Sequence, residues 1–139
     1  MKILVSCPPM LGMLHEFLPF AAAKGLTLVP AKVTQTLSER DLITQLPLYD
    51  GWIIGDDPAT RQVFVVGKSG KLKAAVKWGI GTDNVDFIAC KDLNIPVINT
   101  PLMFGREVAD VALGYVIGLA RQLFLIDREV RLNDRWPKP

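Results

Sequence analysis

Five short apolar runs, each followed by a longer stretch with helical spacing, constrain this chain more than any other feature. The runs are residues 2–6, 26–29, 50–55, 72–77 and 96–99. Strands alternating with helices across short loops are the pattern of βαβ units, which pair as a parallel sheet. Between them, Leu14, Phe17, Leu18 and Ala21 recur at helical spacing over 11–24, and Gly25 supplies a stop. A second helix is expected over 36–46, with Ser38 as N-cap and Asp41 three residues on, a cap that contributes about 1 kcal/mol. Pro58 opens a third that fades by Gly67, and 85–93 forms a fourth, ending at Asn94 before Pro96. The fold class is therefore α/β, a flavodoxin-like, doubly wound, five-stranded parallel sheet. A long C-terminal helix over 106–133 follows, whose apolar residues cover most of its circumference from Val108 to Leu125. Such a helix needs cover on several sides, from a further domain, a second copy of the chain, or both. Gly114 and Gly118, with three residues between them, would let another backbone approach closely.

At 139 residues the chain fits one sheet domain, and its charge narrows the partners. The net charge is +2 with acids and bases interspersed, which gives no electrostatic case for nucleic acid or an anionic membrane. Lys68, Lys71, Lys73 and Lys77 form a modest basic cluster that reads as a solvated face. Cys7 and Cys90 make no disulfide framework, and with a single histidine, His15, no metal site is expected. "MKILVS" meets Pro8 and Pro9 too soon for a secretory segment. The longest apolar stretch, 111–120, stops at Arg121 and Gln122, short of a membrane span. A reduced cytosol is expected.

The stretch "KWGIGTDNVD", residues 77–86, carries the chemistry. It stands at the carboxyl end of a central strand, where open α/β sheets bind ligands. A dinucleotide fingerprint needs G-x-G-x-x-G and an acid about twenty residues later. Here Asn84 takes the third glycine's place, and no acid ends the next strand. The two glycines still let amide N–H groups converge on a small anion, with Asp83 capping a helix that begins near Asn84 and adds its dipole. An ordinary strand-to-helix turn uses glycine in the same way, and both readings stand.

"LKAAVKWGIGTDNVDFIACKDLNIPVINTP" (72–101) resembles the substrate-binding domain of the NAD-dependent D-isomer-specific 2-hydroxyacid dehydrogenases, the family of phosphoglycerate dehydrogenase and glyoxylate reductase. "REVADVALGYVIGLARQL" (106–123), "NDRWPKP" (133–139) and "DGWIIGDDPAT" (50–60) fit the same family in the same order. The resemblance implies that residues 1–101 bind substrate and that 102–139 lead to a cofactor domain, with a homodimer through the 106–133 helix. It implies that Gly79, Ile80 and Gly81 hold the carboxylate of a small 2-hydroxy or 2-oxo acid. Lys77 and Trp78 would shape the pocket, Cys7, Pro8, Gly55 and Asp56 would wall it, and Ile80 and Val108 would lie beside NAD or NADP. Lys77 reads equally as a solvated strand-end lysine.

The family's arginine, glutamate and histidine lie beyond the matched residues, so a truncated chain without hydride transfer is expected and no catalytic residue is assigned. Asp56-Asp57 stand where phosphoglycerate dehydrogenases carry basic residues, and only Arg61, if turned inward, would meet a phosphate. The competing class is a non-catalytic flavodoxin-like binding or dimerisation module. Pro8 and Pro9 remove two N–H donors that a flavin phosphate loop needs, and the acidic pair of a phospho-receiver is missing after the first strand.

Overall fold

The computed structural model describes residues 1–137; the last two residues of the "NDRWPKP" segment lie outside the described residues. The chain divides into two compact units, Met1–Pro101 and Leu102–Pro139. In the first, β1 (Lys2–Val5), β2 (Thr27–Pro30), β3 (Gly51–Ile54), β4 (Ala74–Lys77) and β5 (Val97–Asn99) form one sheet in the order β2-β1-β3-β4-β5. Every pairing is parallel, which gives the flavodoxin-like order expected from the sequence.

Register sorts the side chains into two cores. Leu4 pairs with Trp52, Trp52 with Ala75, and Ala75 with Val97. This row faces α3 (Glu39–Gln45), a 3-10 turn at Leu46–Leu48, and α4 (Arg61–Ser69), and buries Leu42, Leu46, Val63 and Phe64. The Trp52 and Phe64 rings meet at 6.0 Å, each contributing about 1.5–3 kcal/mol by burial of side chains this size. The alternate row carries Val5 and Ile53 and packs under α1 (Pro8–Gly12) and α2 (Leu14–Ala23) through Met10, Leu14 and Phe17.

Several helix boundaries differ from those the local pattern suggests. The first helix starts at Pro8 and breaks at Met13, beside Gly12, whose lack of a Cβ weakens a helix by about 1 kcal/mol. Ser38 caps α3 as expected, accepting from the Asp41 amide at 3.1 Å. Pro58 does not open α4. Ala59 instead bridges in parallel to Val85, accepting from the Asp86 amide and donating to Asn84, both at 3.0 Å. Helix α4 can start only after that bridge, and Thr60 caps it. The same bridge delays α5 (Phe87–Asp92), which Asp86 caps in place of Asp83, through the Ala89 amide at 2.7 Å.

In the second unit the 106–133 helix is two helices, α6 (Gly105–Ala120) and α7 (Leu123–Asn133), bent by 63°. The hinge is Gln122, at φ 53°, and neither glycine breaks the helix. Gly118 is spoken for within the unit, because a Cβ there would lie 2.9 Å from the Phe124 ring as it folds back. No single helix among the described residues is long and apolar enough to cross a membrane; only the bent pair taken together passes by length and composition.

Cys7 and Cys90 are both free and buried. Burial pushes the Cys90 thiol up to about 11, with nearby Asp86 adding to the effect, and it raises Cys7 as well. An unfolded thiol titrates near pH ~8.5, so the folded state binds this proton more tightly. The contribution of Cys90 is full below that value and is lost as pH rises from there toward 11. Urea midpoints followed across this range are expected to fall less steeply for Cys90→Ala than for the parent chain; parallel curves would refute the assignment.

Candidate functional site

Four strand ends converge at the carboxyl edge of the sheet: Ser6-Cys7 after β1, Gly55–Asp57 after β3, Trp78–Asn84 after β4 and Asn99-Thr100 after β5. The β4 turn is the centre. Gly79 has φ +140°, a conformation that side-chain-bearing residues rarely adopt, so the first glycine is required by the backbone alone. Its N–H donates to Thr100 Oγ1 at 2.9 Å, and its carbonyl accepts from the Thr100 amide at 3.1 Å. Asn99 Nδ2 donates to the Ile80 carbonyl at 3.0 Å, and the Trp78 amide to the Ile54 carbonyl at 2.9 Å.

The turn is therefore pinned from both neighbouring strands, and its unused donors follow from that. The Gly79 amide is committed to Thr100. Among the described residues, the amides of Ile80 and Gly81 donate to no protein group. A Cβ built on Gly81 would meet only Asp83 Oδ1, at 3.4 Å. The second glycine is thus not needed for folding, and the space above it opens into a cavity of about 300 Å³ lined by Asp56, Lys77, Trp78, Gly79, Gly81, Asp83 and Asn84. A second cavity, about 290 Å³, shares Asp56 and Trp78 and adds Cys7, Pro8, Pro9, Gln35 and Gly55.

Lys77 is buried, so it is not the solvated lysine of one sequence reading. Its ammonium donates to the Gly55 carbonyl at 2.6 Å and to Asp56 Oδ1 at 2.9 Å. Asn84 Nδ2 donates to the same Gly55 carbonyl at 3.1 Å and to the Asp57 carbonyl at 2.7 Å. The residue that spoils the dinucleotide fingerprint is the one that fastens the β4 turn to the β3 loop. Asp57, fully buried, accepts from Ser6 Oγ, from the Leu37 amide at 2.7 Å and from the Gly55 amide at 3.1 Å, while Trp52 Nε1 donates to Ser6 Oγ at 2.8 Å. Trp78 is braced edge-on by Phe17 at 5.6 Å.

Other candidates fall elsewhere. Arg61 pairs with Asp92 at 2.8 Å and Asp86 at 3.9 Å across α4 and α5, so it does not turn toward the cavities. Helix α5 begins at Phe87 and is capped by its own Asp86, so its dipole does not serve the glycine turn as expected. His15 is exposed on α2 and lines neither cavity. Val108 lies on α6 in the second unit and is well exposed. Among the described residues no cluster of His, Cys, Asp or Glu is placed to hold a metal. Gln35, Asp83, Asn84, Asn99 and Thr100 were not singled out as site residues; Asp83 was weighed only as a helix cap and Asn84 only as the break in the dinucleotide fingerprint, and the other three carry no local signal beyond polarity.

The cavity at Gly81 faces Asp56, Asp83 and the paired Lys77, so no uncompensated cation lines it. An anion there rests on backbone amides, which suits a single carboxylate. It does not suit a pyrophosphate, since one of the three turn amides is committed and no helix starts at the turn.

Residues 10–130 match the model of the D-isomer specific 2-hydroxyacid dehydrogenase catalytic domain. Glyoxylate/hydroxypyruvate reductase A of Arabidopsis thaliana is 31% identical over 84 residues, 60% of this chain and 26% of that protein. D-3-phosphoglycerate dehydrogenase of Archaeoglobus fulgidus is 25% identical over 138 residues, 99% of this chain and 24% of that protein. Among solved structures, the NAD⁺-bound 3-phosphoglycerate dehydrogenase of Entamoeba histolytica superposes with a TM-score of 0.71 at 29% identity, covering 89% of this chain and 40% of that one. The fold is that of the dehydrogenase domain these proteins share. The chain belongs to the D-isomer specific 2-hydroxyacid dehydrogenase family. Its matches span about a quarter of the length of the curated relatives.

Proposed function

We propose that this chain is the substrate-binding portion of an NAD(P)-dependent oxidoreductase that interconverts a D-2-hydroxy acid and its 2-oxo acid. The observation that carries the reading is the pair of unspent amides at Ile80 and Gly81, held at the sheet's carboxyl edge with open space above Gly81. The substrate carboxylate accepts from these two N–H groups, while the Lys77 charge beneath them is already balanced by Asp56. Family membership supplies the reaction type. The NAD(P) cofactor supplies the hydride when bound. Within the first unit, exposed Ile80 offers it an apolar contact, and the glycine turn does not form its phosphate site. These residues bind and orient the acid; because the glycine turn does not match a dinucleotide fingerprint, the chain alone is not expected to transfer hydride.

Titration of the isotopically labelled chain with oxalate, a planar mimic of a 2-oxo acid, is expected to move the backbone amide resonances of Ile80 and Gly81 first. Shifts confined to other regions, or none at millimolar oxalate, would remove the basis for the proposal.

The second unit supports a homodimer as partner. Val108, Val111, Leu113, Tyr115, Val116 and Leu119 on α6 are each more than half exposed, an apolar surface of the kind that association covers. Light scattering is expected to return twice the chain mass, and a monomer at high concentration would contradict this. Two free, buried thiols accord with a reducing cytosol.

A further inference from the structure

The geometry points to Asn99 as a positioning residue: its side chain lines neither cavity, yet it aims the Gly81 amide at the acid by gripping the Ile80 carbonyl behind it. This inference rests on the reading of Ile80 and Gly81 as the carboxylate donors.

Along a strand, each residue turns its N–H and C=O to one neighbouring strand, and the next residue turns its pair to the other. The end of β4 obeys this rule for two residues and then departs from it. The Trp78 amide donates to the Ile54 carbonyl of β3 at 2.9 Å. Gly79 faces the opposite side, its N–H on Thr100 Oγ1 at 2.9 Å and its carbonyl accepting from the Thr100 amide at 3.1 Å. Continued alternation would turn the Ile80 carbonyl back toward β3 and the Gly81 amide toward β5. Instead the Ile80 carbonyl accepts from Asn99 Nδ2 at 3.0 Å, on the β5 side.

Peptide planarity converts that one bond into a direction. In a trans peptide the N–H points opposite to the C=O of the residue before it, and the peptides of the turn are all trans. The Gly79 carbonyl, held by Thr100, therefore sends the Ile80 N–H away from β5. The Ile80 carbonyl, held by Asn99, sends the Gly81 N–H the same way. Two successive N–H groups on one side form the concavity that a small anion fits. The larger cavity accords with that side, because Asp56 of the β3 loop lines it together with Gly79 and Gly81.

The two grips differ in kind. Thr100 holds the Gly79 carbonyl with its backbone amide, a bond that any residue except proline can make there. Asn99 uses a side chain, and its bond lies at the exposed edge of the turn. The direction of the Ile80 amide is thus built into the sheet, whereas that of the Gly81 amide depends on residue 99 carrying a donor.

The test uses the labelled chain, oxalate and three variants. Asn99→Leu keeps the branching of the side chain and removes its donor, Asn99→Ala removes the donor without apolar bulk, and Asn99→Gln keeps the carboxamide on a longer stem. Both donor-free variants are expected to bind oxalate about tenfold more weakly, since one of two charge-assisted hydrogen bonds loses its aim. In both, the Gly81 amide resonance is expected to stop responding to oxalate while the Ile80 amide keeps its response. Their urea midpoints should scarcely move, because the bond removed is solvent-exposed. Asn99→Gln is expected to restore the Gly81 response and to bind within about threefold of the parent. A role confined to the stability of the turn would move the two amides together. Donor-free variants that keep both responses and the parent affinity, or that lose both responses at once, overturn the inference while the carboxylate reading stands. Ile80 and Gly81 amides that ignore oxalate in the parent chain overturn both.

Discussion

Asp57→Ala is expected to destabilise the chain by about 3–5 kcal/mol, a large share of the roughly 5–15 kcal/mol that holds a domain of this size together. The side chain is fully buried and is the common acceptor for the ends of β1 and β3 and for the loop before α3. Its removal strands the amides of Leu37 and Gly55, each at a cost of about 1–3 kcal/mol. Ser6 is partly rescued, because its hydroxyl already lies 3.2 Å from the Ile53 carbonyl. Urea denaturation followed by Trp52 fluorescence reads the effect, and a loss below about 1 kcal/mol would show that the network is dispensable. Asp57→Asn keeps one acceptor oxygen and opposes an N–H₂ to a donor, so it should fall between the two.

The second large effect separates binding from folding. Gly81→Val is expected to weaken oxalate binding at least about a hundredfold, because its isopropyl group fills the space through which a carboxylate reaches the Ile80 and Gly81 amides, two charge-assisted hydrogen bonds at about 1.5–3 kcal/mol each. The urea midpoint should scarcely move, because the added side chain meets only Asp83 Oδ1 at 3.4 Å. Gly79→Ala is the contrasting control. It places a side chain at φ +140° and should lower stability by about 1–3 kcal/mol. Gly81→Val binding oxalate as well as the parent would mean that the second glycine serves only the turn.

What the residues reveal on their own depends on how local the cause is. The apolar runs that became strands, and the Ser38 cap, are fixed within a few residues and were legible in the sequence. The start of α5 was not, because it is set by Val85 bridging to Ala59, twenty-six positions away, which makes Asp86 and not Asp83 the cap. Gln122 gives no sign of a hinge until Phe124 is seen lying against Gly118. The glycine turn stood out in the sequence as a candidate anion site or an ordinary turn, but not the loss of its Gly79 amide to Thr100, a residue that follows the next strand. Lys77 shows the same limit. A lysine at a strand end looks solvated until the Gly55 carbonyl and Asp56 close over it.

The Gly55 carbonyl accepts from both Lys77 and Asn84, two residues that bracket the glycine turn. One oxygen thereby ties the two ends of that turn to the neighbouring loop, so the floor of the cavity is cast during folding. An incoming acid then spends little of its binding energy on ordering the chain beneath it. The floor is a preset mould that selects among acids by shape.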